Sequence, residues 1–91
     1  SLPMYHMIKE KIRTGNARAL VAGLVRQYAG EKPDLTDGMR LNREEAWALV
    51  RPSGTEPLVR ITVEARREQD AAELLGEIRE AIRACSTGQA L

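Results

Sequence analysis

"LVRITVEA", Leu58 to Ala65, alternates without a break: Val59, Ile61, Val63 and Ala65 fall on one side, Leu58, Arg60, Thr62 and Glu64 on the other. A period of two marks a strand with one face buried and one face wet. Such a strand needs partners, and they lie just upstream. "AWALVR" sets Trp47, Leu49 and Arg51 against Ala46, Ala48 and Val50, and a short run from Met39 to Asn42 precedes it, with "NREE" as a tight connection. "EKPDLTDG" is a polar loop whose Asp37-Gly38 pair signals a turn into that short strand. Further out, "MYHMIKEKI" places Met4, His6, Ile8 and Ile12 on one parity, and Lys9, Glu10 and Lys11 suit an edge strand.

Two segments carry the helical period instead. Asn16 offers an N-cap, after which Ala17, Leu20, Val21, Leu24, Val25 and Tyr28 form a stripe that Gly30 is expected to terminate. Asp70 is expected to cap the second helix, with the stripe Ala71, Leu74, Leu75, Ile78, Ile82 and Cys85 and a frayed tail "STGQAL". The order is β-α-β-β-β-α. Each amphipathic helix needs an apolar sheet face, so the predicted class is α+β in two layers: a four-stranded antiparallel sheet covered on one face by two helices.

Length and charge narrow the function. A chain of 91 residues makes one domain, and a core of that size buries roughly two-thirds of the surface the unfolded chain exposes. Lys and Arg total 14 against 13 Asp and Glu, a net charge of +1, so no general attraction to nucleic acid or to an anionic membrane arises. Any anion must be attracted locally. Cys85 has no partner for a disulfide and His6 no companion ligand for zinc, which fits a cytoplasmic protein without a structural metal. No apolar run approaches the ~18 residues of a membrane span, and the start lacks the apolar core of a signal peptide. Ser1-Leu2-Pro3 runs straight into a strand-like segment, which suggests a piece of a longer protein.

"RPSGTEP", Arg51 to Pro57, joins the two best strands. Pro52 and Pro57 restrain the residues before them, and Gly54 can take a positive φ at little cost. A turn of that kind aims successive amides into an anion-binding concavity, with the hydroxyls of Ser53 and Thr55 at its rim. Arg51 adds a planar fork of donors that matches two phosphate oxygens, and Arg60 on the wet face of the next strand supplies a second positive group. Residue chemistry alone leaves two accounts standing. Gly, Ser, Thr and Pro also make a plain hairpin connection, and Glu56 for Arg51 or Glu64 for Arg60 would explain the arginines as internal salt bridges. Arg51 lies in phase with Trp47 and Leu49, where an arginine without an anionic partner is a poor choice.

The same residues carry a resemblance. "DGMRL" at 37 to 41, "AWALVRPSGTEPLVRITVEA" at 46 to 65 and the closing amphipathic helix resemble the C-terminal domain of the α-D-phosphohexomutases, most closely phosphoglucosamine mutases and archaeal-type phosphomannomutases. The likeness covers essentially the whole chain, with residues 1–14 matching the interdomain linker, or hinge, and first strand, and 15–91 the C-terminal phosphate-binding domain. It implies a four-domain parent enzyme that interconverts hexose 6-phosphate and hexose 1-phosphate through a phosphoserine and a bisphosphorylated intermediate. On that reading Arg51, Ser53, Gly54 and Thr55, with Arg60, grip the phosphate that is not reacting, and the partners are a hexose phosphate and the other domains of the parent chain.

The resemblance also implies what is absent. No segment matches the family's phosphoserine loop or its aspartate-rich Mg²⁺ loop, so no catalytic residue or metal ligand is expected here and the 91-residue chain alone should be inert. Asp34 and Asp37 read as polar loop residues, Glu44 and Glu45 as turn charges, His6 as an edge residue, Trp47 as core and Cys85 as helix-stripe filler. An independent α+β module for nucleic acid or protein partners is the alternative, and the lack of Phe, with one Trp and two Tyr, weighs against base stacking.

Overall fold

A computed structural model of the chain describes the backbone of residues 5–90 and the side chains of residues 5–85. The strands are β1 (His6–Arg13), β2 (Met39–Arg43), β3 (Ala46–Pro52) and β4 (Leu58–Ala65), and the helices are α1 (Ala17–Gln27) and α2 (Glu68–Ala90). Met4, assigned to the first strand by its parity, lies outside the described residues.

One antiparallel sheet in the order β1-β4-β3-β2 holds all four strands. Strands β2, β3 and β4 are consecutive antiparallel neighbours, whereas β1 reaches the far side of β4 because α1 carries the chain across to the other edge. The expected α+β class, element order and edge position of β1 all hold. The alternating strand β4 is the centre of the molecule: Val59, Ile61, Val63 and Ala65 are each at most 1% exposed. They meet Leu20 and Leu24 of α1 and Leu75 and Ile78 of α2, with Met39, Leu41, Ala48 and Val50 extending the same face. Burial of these side chains, each worth about 1.5–3 kcal/mol for the larger ones, holds the two layers together.

The helix ends differ from expectation. Asn16 does cap α1, its Oδ1 accepting from the Ala19 amide at 3.0 Å. Gly30, however, does not terminate it: α1 stops at Gln27, a 3-10 turn spans Ala29–Glu31, and Lys32 takes the left-handed conformation at φ 53°. Asp70 is not the cap of α2. Helix α2 begins at Glu68, where the Ala71 amide donates to the Arg67 carbonyl, so Asp70 lies in the first turn, where its charge suits the amide end of the helix dipole. The backbone of α2 is helical to Ala90, past Cys85 and through most of the segment read as a tail; Leu91 lies outside the described residues.

Trp47 corrects a further expectation. It is not in the core; it sits on the sheet face that carries no helix, where its Nε1 donates to Glu64 Oε1 at 3.0 Å and the Arg40 guanidinium lies 4.3 Å from the ring centroid. Parity explains the placement, since the small Ala46, Ala48 and Val50 set faces the helices and leaves the larger set outside. On the helix side Glu10 points inward from β1 among Ile8 and Ile12, and Arg79 of α2 chelates it. An inward charge on an edge strand also discourages pairing with a foreign strand.

Candidate functional site

Ser53 to Pro57 span the gap between β3 and β4, and the Ser53 amide donates to the Leu58 carbonyl at 2.9 Å, which closes the connection. Inside it the amides of Thr55 and Glu56 both point at Ser53 Oγ, each at 3.3 Å. Two consecutive amides thus converge on one oxygen. The device differs from the one the sequence suggested: Gly38 is the glycine with positive φ among the described residues, and Gly54 is not in that region. Convergence comes from the serine hydroxyl folding back over the turn, a side chain standing in for a backbone bend. A Cβ at Gly54 would meet nothing within 4 Å, so the position is open to solvent on that side.

Arg51 and Arg60 face each other across β3 and β4 as register partners on the bare face of the sheet. Their carboxylates are not the expected ones. Arg51 Nη1 lies 3.4 Å from Asp37 Oδ2, and Arg60 Nη2 lies 4.0 Å from Glu56 Oε1, while Glu64 is engaged with Trp47. Sequence could not assign these pairs because Asp37 reaches Arg51 only through the turn before β2. Gly38 makes that approach possible: at φ 72° a Cβ there would lie 2.4 Å from the Val50 carbonyl oxygen and 2.9 Å from Arg51 Cα. Both arginine pairs are long and solvent-exposed, so they hold the guanidinium groups loosely.

Beside these residues an open groove of about 520 Å³ runs over the bare face, its lining including Arg51, Arg60, Lys9, Lys11 and Thr62 together with Glu10, whose carboxylate is held by Arg79. Lys9 and Lys11 are exposed residues of β1 that sequence reasoning counted only as edge charges. Their odd parity, opposite to Ile8 and Ile12, was the available signal. The structure therefore brings Arg51, Ser53, Gly54, Thr55 and Arg60 to one end of the sheet and adds two lysines.

The remaining candidates are occupied elsewhere. Asp34 Oδ1 accepts from the Thr36 amide at 2.9 Å, and that bond holds its carboxyl below the ordinary range. Asp34 is thus a turn-former and Asp37 an arginine partner, which does not fit an octahedral magnesium donor set. Among the described residues no three His, Cys, Asp or Glu side chains converge as a metal site. His6 is exposed on β1. Glu45 is more than a turn charge: it holds φ 58°, and Arg66 fastens it through both its carbonyl and its carboxylate. Cys85 accepts from Gln27 Nε2 at 2.8 Å and packs against Gly23 of α1. No helix among the described residues is long and apolar enough to cross a membrane.

Comparison with known proteins finds relatives over most of the chain. Residues 8–81 match the family model described as phosphoglucomutase/phosphomannomutase, C-terminal domain. A probable phosphoglucosamine mutase of Methanopyrus kandleri is 39% identical over 89 residues, covering 92% of this chain and 20% of the relative. A phosphoglucomutase/phosphomannomutase of Thermococcus kodakarensis is 42% identical over 77 residues, covering 81% and 17%. A phosphoglucosamine mutase of Methanococcus maripaludis is 42% identical over 79 residues, again covering 81% and 17%. The chain spans at most about a fifth of the length of these curated relatives.

Proposed function

We propose that this chain, which belongs to the phosphoglucomutase/phosphomannomutase C-terminal domain family, grips the non-reacting phosphate of a hexose phosphate within a larger mutase. The observation that carries the reading is the convergence of the Thr55 and Glu56 amides on Ser53 Oγ, beside two loosely paired arginines. At 3.3 Å these bonds are longer than usual, and an anionic oxygen is a stronger acceptor than a hydroxyl. A phosphate oxygen takes over the two amides when Ser53 rotates aside, and the hydroxyl then donates to the ligand. Arg51 exchanges Asp37 for two phosphate oxygens, and Arg60 supplies the second charge.

Such a grip suits the reaction the resemblance implies, transfer between the 1- and 6-positions of a hexose through a phosphoserine and a bisphosphorylated intermediate. A sugar that binds in two orientations presents a phosphate at the remote end in both. Binding energy gathered there aligns the reacting end without asymmetric hydroxyl contacts. The phosphoserine and the magnesium ligands belong to other domains of the parent. Residues 1–14 serve as linker and first strand, and the parent works in the cytoplasm.

The test is an amide NMR titration of the 91-residue chain with glucose 6-phosphate and glucosamine 6-phosphate. Shifts concentrated at residues 51–56 and 60 are expected, nearly equal for the two sugars because the phosphate dominates. Arg51→Ala should abolish them. A response that survives Arg51→Ala intact, or that spares the loop amides, would refute the assignment.

A further inference from the structure

The register of the sheet places three cations side by side. Lys11 of β1 is the partner of Arg60 of β4, and Arg60 is the partner of Arg51 of β3. Partners in one row have side-chain origins roughly 4.5–5.5 Å apart, and like charges directly opposite one another destabilise a sheet. All three are exposed and line the same groove. Four arginines elsewhere, Arg43, Arg66, Arg79 and Arg83, are neutralised closely. Arg43 donates to Glu77 at 2.7 and 2.9 Å, Arg66 reaches Glu45 at 3.0 Å, and Arg79 chelates Glu10. In the row, Arg51 and Arg60 have carboxylates at 3.4 and 4.0 Å, and Lys11 has none within 4 Å among the described residues. Lys9, one row along the same face opposite Thr62, adds a further unmatched charge.

We infer that Lys11, backed by Lys9, is a third cationic contact for the phosphate, so that the anion site spans β1, β4 and β3 rather than the loop alone. The ligand class is a phosphate dianion. The inference rests on the phosphate reading of the loop and adds to it a strand distant in sequence. Ser53 follows Arg51 by two residues, just past the end of β3, which sets the loop's converging amides beside the Arg51 end of the cationic row. The long stems of Lys11 and Arg60 let their heads turn toward that end, so a dianion there relieves the repulsion along the row.

The experiment titrates inorganic phosphate and glucose 6-phosphate into the wild-type chain, Lys11→Gln, Lys11→Arg, Arg51→Ala and Arg83→Gln, followed by amide and lysine side-chain NMR at two salt concentrations. Lys11 is an exposed edge residue, so Lys11→Gln folds normally. It should weaken phosphate binding about three- to tenfold and flatten the salt dependence. Lys11→Arg should restore most of the affinity, and the wild-type Lys11 ammonium resonance should shift on binding. Arg83→Gln removes a charge that α2 pairs with Glu80 and should change nothing.

Lys11→Gln binding like the wild type, while Arg51→Ala fails to bind, would overturn this inference and leave the loop assignment standing. Equal weakening by Lys11→Gln and Arg83→Gln would overturn it too, as an effect of net charge alone. No saturable shift at residues 53–56 in the wild type would overturn both readings.

Discussion

On the side of the sheet that carries the helices, Arg43 donates to both Glu77 and Glu31 at 2.7 to 3.2 Å, and Arg79 chelates Glu10. On the bare side, Arg51 and Arg60 stand 3.4 and 4.0 Å from Asp37 and Glu56, and Lys11 stands opposite Arg60. The residue types are the same; the tightness of pairing differs. Closed pairs fasten α2 to β1 and β2, and each guanidinium there gives two of its nitrogens to carboxylate oxygens. Loose pairs leave donors available to a stronger acceptor, at the cost of mutual repulsion. The first arrangement serves the fold, and the second suits a ligand.

The largest effect on this contrast is expected where the fold itself sets the position of Arg51. Gly38→Ala places a methyl 2.4 Å from the Val50 carbonyl oxygen at a φ of 72°, so it should cost about 2 kcal/mol or more in chemical denaturation and weaken phosphate binding as well. Arg43→Ala should come next, at about 1–2 kcal/mol, discounted because Glu77 remains partly exposed. Arg51→Ala should be smallest, within about 0.5 kcal/mol of the wild type in stability although it abolishes the phosphate response. A bare-side variant that destabilised as much as Arg43→Ala would erase the contrast.

Acidity and alkalinity probe the closed side in opposite directions. The Arg43 guanidinium, opposed by partial burial and helped by the Tyr28 hydroxyl, holds the Glu77 carboxyl below its ordinary value of 4.5. A depressed folded-state value means that the stabilisation is present above pH about 4.5 and is lost as pH falls through the lower one. Burial, followed by the bond to Glu77, raises the Tyr28 phenol well above its ordinary 10.0, so its contribution is complete below that pH and is lost as pH rises further. Phenolate absorbance compared between wild type and Tyr28→Phe should show that the missing titration is a late one. Denaturation across acid pH should show the wild-type advantage over Arg43→Ala shrinking.

Most of the architecture was readable because alternation in β4 and the stripes of α1 and α2 report burial directly. Helix ends were less readable. Gly30 and Asp70 are good terminators in isolation, but the 3-10 turn after Tyr28 and the Arg67–Ala71 bond decided where each helix begins and stops. Trp47 was misplaced because size suggested the core, whereas the set containing Ala46, Ala48 and Val50 was the one that fitted under two helices. At the site, the residue list was legible and the pairing was not. Asp37, Lys9 and Lys11 are remote in sequence from Arg51, and only the crossover of β1 to the side of β4 and the turn at Gly38 bring them close. Gly54 invited a backbone explanation that a serine hydroxyl supplies instead.

One modest contact gives the molecule a mechanical character. The amide of Thr14, just past the end of β1, is bonded to the carbonyl of Pro57 at 3.0 Å, where the turn rejoins β4. The first strand and the far shoulder of the turn are therefore harnessed together. Because β1 is also laddered to β4 from His6 to Arg13, a displacement of β1 along its own axis is shared between that strand and the rim on which the turn hangs.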